Sequence, residues 1–247
     1  MMTNAPSYDG YHKYTGSVAA TYDSDREVEA HWWKEDQFVR DYFSEKPVKR
    51  LLDLPVGTAR FFPHYKQVEQ VVGVDVSDDM LNEARRKLTS LPPGTIGRLE
   101  QGDVFALRFS DREFTHALVW RLLHLIPANL LPEAVAELCR VTAREIVAQT
   151  YPVRSGAPEA VARPYRRRIA SGLRRLAHSL LSSRQQPATP ADVGGAVDVT
   201  PWSHINAYPH RQDVIDALFL NHGFAPHISR HLDSYDSCDV RVTVYQR

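Results

Sequence analysis

"LLDLPVGTARFF", Leu51–Phe62, is the stretch that decides the fold. "LLDL" reads as a short buried strand, and the chain then turns through Gly57. Glycine in such a turn lets backbone N–H groups come close to a ligand. Pro55 and Ala59 stand where a dinucleotide loop would carry further glycines. G-x-G-x-x-G is absent, so pyrophosphate has no glycine-rich helix start to sit on. G-x-x-x-x-G-K-[ST] is absent as well. Alone, the turn leaves three readings open: a broken dinucleotide site, a structural turn, or a site for another ligand.

Outward from this turn, strand and helix patterns alternate. "VVGVDV", Val71–Val76, is β-branched and buried in character, and Ser77 or Asp78 suits the N-cap of a helix over 79–88. Residues 96–101, 115–120 and 145–150 read as strands, and 133–141 as a helix opened by Pro132. A helix is expected over 58–68, weakened by Pro63. Strands separated by such helices mean βαβ units and a parallel sheet. Ligands of these sheets bind outside the carboxyl ends of the strands.

Upstream, residues 1–25 are polar and read as loop, while Val28, Trp32, Val39 and Phe43 place one helix over 26–43. Downstream, the period breaks after Tyr151. A helix at about 161–181 and a Pro/Gly-punctuated stretch follow. Regular patterns resume with a helix at 211–221 and strands at 225–232 and 239–246, joined as an antiparallel pair. The expected organisation is one α/β domain: an N-terminal cap segment (1–46), a core (47–153), a lid-like insertion (154–210) and a closing helix and hairpin (211–247).

The totals narrow the class. The 247 residues carry 30 Lys+Arg against 30 Asp+Glu, so no global field draws in nucleic acid. Cys139 and Cys238 show no metal-type spacing, no metal site is expected, and the thiols read as reduced. No apolar run is long enough for a membrane span, and the N-terminus lacks a signal-peptide pattern, so the cytoplasm is the expected compartment.

Three acids then sharpen the opening question. Asp53, Asp75 and Asp103 each stand at the carboxyl end of an expected strand. A carboxylate in the second position can accept both hydroxyls of a ribose. One in the third can accept from the exocyclic amine of adenine.

In this order the motifs resemble those of class I S-adenosylmethionine-dependent methyltransferases. Their D-x-G-x-G-T-G turn stands here as "DLPVGTAR", with Asp53, Gly57 and Thr58 matching, and Pro55 as in a related subgroup. The resemblance covers about residues 20–150 and the closing hairpin. It implies a Rossmann-like, mostly parallel seven-stranded sheet with an antiparallel last strand, an N-terminal helix and an inserted helical lid. It implies S-adenosyl-L-methionine as cofactor. Asp75 would hold the ribose with Val76 beside it, Met80 would flank the adenine, and Asp103 with Val104 would meet its edge. Ala59 would add a methyl near the methionine end. Trp120 and Arg121 would face the sulfonium end. Tyr22 and Arg26, on a segment that folds over the cofactor in many relatives, complete the cofactor set, Arg26 for the methionine carboxylate.

For the acceptor, His124 is the candidate general base, since its pKa lies near neutrality. Arg121, Trp202, His204 and Tyr208 are candidate substrate residues. The helix at 161–181 holds Arg163, Arg166, Arg167, Arg168, Arg174 and Arg175, and reads either as a solvated lid or as a site for an anionic acceptor, a nucleic acid or a membrane surface. The leading expectation is methyl transfer to oxygen or nitrogen of a small molecule or conjugate. One alternative is an RNA-modifying methyltransferase, opposed by the missing N-P-P-[YF] and Pro-Cys motifs. Another is a non-catalytic methyltransferase-like partner protein.

Overall fold

Strand and helix alternate as the hydrophobic pattern expects. The computed structural model describes residues 14–153, 208, 210–235 and 238–247. Its strands are β1 (Val48–Asp53), β2 (Val68–Asp75), β3 (Ile96–Gln101), β4 (Phe114–Val119), β5 (Thr142–Thr150), β6 (Ala225–Ser234) and β7 (Asp239–Gln246). They form one seven-stranded sheet in the order β3-β2-β1-β4-β5-β7-β6. β1 to β5 pair in parallel, and β7 runs antiparallel to both β5 and β6. The order reverses between β1 and β4, which opens a crevice at their carboxyl ends.

Both faces are covered, which is why the inner strands are apolar without alternation. Neighbouring residues face opposite sides of a strand. Leu52, Val72, Ala117 and Ile146 join the core under α4 (Leu131–Val141) and α5 (Gln212–Asn221). Leu51, Val71, Leu118 and Val147 join the core under α2 (Trp32–Glu45) and α3 (Asp78–Arg86).

Three expectations need correction. Residues 58–68 form no α-helix, only a turn and a 3-10 segment at Phe62–His64. Gly57 (φ 54°) and Ala59 (φ 57°) are both left-handed, which no right-handed helix accommodates, and Pro63 restricts Phe62. Residues 17–25, read as loop, belong to α1 (Ser17–Glu27). The single helix over 26–43 is two, because the chain breaks at residues 28–31, where Val28 is exposed rather than on the buried stripe. The lid-like helix at 161–181 lies outside the described residues. The flanks of that insertion meet: Val153 N–H donates to the His210 carbonyl at 3.1 Å. His210 is itself buried, with Nε2 3.1 and 3.0 Å from the Leu123 and Ile126 carbonyls.

Candidate functional site

At the carboxyl ends of β1, β2 and β4 lies an open cleft of about 690 Å³, counted to its mouth. Pro55, Val56, Gly57 and Thr58 line it from the first turn, Asp75, Val76 and Met80 from the second, and Trp120, Arg121, Leu122 and Leu125 from the segment after β4.

Asp75 organises the cleft. One carboxylate oxygen accepts from Gly57 N–H at 2.9 Å and the other from Ser77 N–H at 3.0 Å. The first turn is thus pinned to the second by a single side chain. Burial pushes the Asp75 carboxyl up to about 6 against the pull of these backbone donors. Each oxygen keeps lone pairs for a further donor. Gly57 needs its left-handed backbone here, and a Cβ would point at the Met80 methyl, 3.6 Å away.

Asp53 plays a different part from the one expected. It does not line the cleft; it is buried behind the turn, where Tyr65 O–H donates to it at 2.6 Å. Burial raises its carboxyl to about 7, partly offset by the Tyr65 bond. The folded value lies above the unfolded one, so the stability held by the neutral form is complete below about pH 4 and lost as pH rises through about 7. The full effect is roughly 4 kcal/mol. His116, lowered to about 4 chiefly by burial, works in the opposite direction. His116 is common to Asp53→Asn and the parent, so its contribution cancels when the two are compared. The variant is expected to gain stability relative to the parent as pH rises from 5 to 8, in parallel urea melts. A difference that does not change with pH would contradict the assignment.

The N-terminal segment covers this site. Thr58 O–H donates to Asp23 at 2.7 Å, and Gly16 N–H to Asp79 at 2.7 Å. Ser77 O–H bonds the Tyr14 carbonyl. Tyr14 and Tyr22 meet edge to face, 5.7 Å apart, and pack with Ala19 on Met80. Both tyrosines line the cleft.

Beside the cleft lies a buried charge network that the sequence reading missed. Arg121 Nη2 donates to Glu29 at 2.8 Å and to both oxygens of Glu35 at 3.0 Å. Arg60 Nη2 donates to Glu35 at 2.7 Å. Gln149 also donates to Glu35, and its carbonyl accepts from Arg121 N–H at 3.2 Å. Arg121 itself is left-handed at φ 57°, a strained conformation of the kind that clusters at functional sites. The available signal was Glu35, an acid on the apolar stripe of α2 between Trp32 and Val39.

Of the other expected residues, Thr58, Val76, Met80, Trp120 and Tyr22 meet around the cleft with Pro55, Gly57 and Asp75. Arg121 does so too, from the strand end rather than from a substrate pocket of its own. Arg26 does not line the cleft; it pairs with Glu29 at 2.6 Å. Asp103 caps its own turn, accepting from Phe105 N–H at 3.1 Å, and Val104 is in the core. Ala59 turns its methyl into the core with Val56 and Phe62, not toward the cleft. His124 is rotated away because Leu122 and Leu125, three apart on a 3-10 turn, take the cleft side. Its ring packs 4.2 Å from that of Tyr151. Tyr208 N–H bonds the His124 carbonyl at 2.7 Å without lining the cleft. Trp202 and His204 lie outside the described residues.

Residues 51–145 match a family model described as a methyltransferase domain. The chain is similar to a phosphatidylethanolamine N-methyltransferase of Cereibacter sphaeroides, 33% identical over 93 residues, or 37% of this chain and 44% of that protein. It is also similar to a demethylmenaquinone methyltransferase of Desulfitobacterium hafniense (strain Y51), 33% identical over 100 residues, or 39% of each. The match thus spans less than half the length of these curated relatives. Among solved structures, magnesium protoporphyrin IX methyltransferase from Synechocystis PCC 6803 with bound SAH shares the fold, with a TM-score of 0.62 at 13% identity, covering 96% of this chain and 98% of that one.

Proposed function

We propose that this chain, whose core belongs to the class I S-adenosyl-L-methionine-dependent methyltransferase family, is an enzyme that methylates oxygen or nitrogen of a small molecule or conjugate. The observation that carries this reading is Asp75, whose carboxylate joins the two turns that line the cleft. S-adenosyl-L-methionine, the family's cofactor, supplies an electrophilic methyl group when bound.

This chain's residues fit that group. Asp75 has lone pairs for the ribose hydroxyls, Met80 and Val76 offer apolar contact to the adenine, and Gly57 allows close backbone approach. Phe61, Trp120, Leu122 and Leu125 add apolar lining that keeps water from the transfer. Tyr22 from α1 and Tyr14 from the segment before it add their rings to the lining. Positioning of the acceptor in line is the main demand of the reaction.

No His, Cys or Lys side chain lines the described part of the cleft. This favours an acceptor that brings its own lone pair, an amine or an oxygen already ionised. The phosphatidylethanolamine and demethylmenaquinone in the relatives' names fit a conjugate or lipid-like acceptor, while the described residues hold no helix long and apolar enough to cross a membrane. The test is transfer of tritiated methyl from the cofactor to a panel of amines, phenols and carboxylates, with RNA and quinone-type carbon acceptors alongside. Transfer to an oxygen or nitrogen acceptor, lost in Asp75→Ala, is the expected result. Transfer confined to RNA or to carbon acceptors would overturn the reading.

A further inference from the structure

We propose that His31 is a positioning residue whose protonation decides whether Arg121 stays bound to its carboxylates or turns its charge into the cleft. His31 does not line the cleft. Its ring is buried at the junction of α1 and α2, and both ring nitrogens meet charged or polar groups. Nε2 lies 3.3 Å from Arg121 Nη2, 3.3 Å from Glu29 Oε2 and 3.3 Å from Glu35 Oε1. Nδ1 lies 3.3 Å from the Tyr235 hydroxyl and 3.4 Å from Asp233 Oδ2, at the far end of β6. Arg26 and Arg60 stand one bond further out, on Glu29 and Glu35, and Tyr151 stacks on Tyr235. One imidazole thus joins the first two helices, the segment after β4 and the β6–β7 hairpin.

The two protonation states make opposite demands on this geometry. A neutral ring with its hydrogen on Nδ1 donates toward Tyr235 and Asp233, and its Nε2 accepts from Arg121 Nη2. In the imidazolium both nitrogens donate, so Nε2 turns to Glu29 and Glu35. Arg121 then loses one acceptor, shares the other two with a second cation, and meets like charge 3.3 Å away. With the ring neutral, Arg26, Arg60 and Arg121 balance Glu29, Glu35 and Asp233. A proton from water leaves one positive charge in excess, which a buried cluster holds only at a cost. Asp233, 26% exposed at the side chain, links the ring to water. Among the described residues, all side-chain hydrogen bonds of Arg121 run through Nη2, so rotation about one point releases its guanidinium into the cleft it lines. Imidazole is the side chain that changes charge between about pH 5 and 8.

The switch itself is tested without any ligand. Nuclear magnetic resonance of the whole chain follows the imidazole Cε1–H and arginine Nε–H signals from about pH 5 to 8. His31→Gln assigns the first signal by its loss, and Arg121→Lys the second. The expected result is that the Arg121 signal moves with the midpoint of His31 and that this movement vanishes in His31→Gln. Tyr235→Phe removes one partner of Nδ1 and touches neither Arg121 nor its carboxylates. It is expected to shift both midpoints together, so it carries the test should His31→Gln fold poorly. An imidazole that does not titrate, or an Arg121 signal that is still or keeps its own midpoint, would overturn the proposal. The consequence for binding rests on the proposed reading of the cleft. A guanidinium released there repels the sulfonium of S-adenosyl-L-methionine, a charge that S-adenosylhomocysteine lacks. Acidification of the parent is therefore expected to shift the ratio of the two affinities by about fivefold or more toward S-adenosylhomocysteine, and to leave the ratio in His31→Gln unchanged. Asp75 faces the same ribose in both, so its own titration cancels in the ratio. A ratio that responds equally in parent and variant would overturn the proposal. A parent that binds neither nucleoside would sink the methyl-donor reading instead, and the resonance titration would still decide the switch.

Discussion

Asp75→Ala is expected to weaken S-adenosyl-L-methionine binding by about 100-fold or more, the loss of two charge-assisted hydrogen bonds at roughly 1.5 kcal/mol each. The structural reason is that Asp75 does two things at once. It presents lone pairs to the cleft, and it holds Gly57 N–H and Ser77 N–H, so its removal frees both turns. Asp75→Asn keeps the shape and one acceptor oxygen, and is expected to fall between variant and parent. The same side chain sets a pH dependence. Its carboxyl lies at about 6, and ribose hydroxyls bond the charged form better, so affinity should fall as pH drops below about 6 and level off above it. Titration calorimetry across pH 5 to 8 checks both statements. An Asp75→Ala variant that binds like the parent would remove the residue from the site.

Glu35→Ala is the second large effect, and it concerns stability. Glu35 is fully buried and accepts from Arg121, Arg60 and Gln149. Neighbouring guanidinium groups hold its carboxyl below the usual range despite burial. Removing one partner of such a pair leaves uncompensated buried charge, at a cost of about 3–5 kcal/mol. For a chain of this size that is a fall of roughly 10 °C in melting temperature. A loss below about 1 kcal/mol in urea denaturation would mean the two guanidinium groups find other acceptors or water.

The legible part of this protein was its strands and their carboxyl ends. β-branched runs such as "VVGVDV" and the Ser77 cap are local signals, and the structure uses both. Ser77 indeed accepts from Met80 N–H at 3.3 Å. The parts that were not legible depend on contacts far apart in sequence. α1 has no apolar stripe, and only the packing of Tyr22 on Met80 and the Asp23–Thr58 bond explain it. Asp53 stood where a ligand contact was expected, but its partner, Tyr65, is delivered by a turn that replaced the expected helix. His124 had the right chemistry at the right distance from the strand end, and a 3-10 turn aimed it elsewhere. Arg60 carries no local signal of its place in the network, because Glu35 and Trp32 reach it from a helix about 25 residues upstream.

The most direct test of the central claim is calorimetric titration of the whole chain with S-adenosylhomocysteine. Saturable one-to-one binding, lost in Asp75→Ala while the variant keeps the parent's circular dichroism, is the predicted result. No detectable binding by the folded parent at about 1 mM ligand, an affinity weaker than roughly 4 kcal/mol, would contradict it.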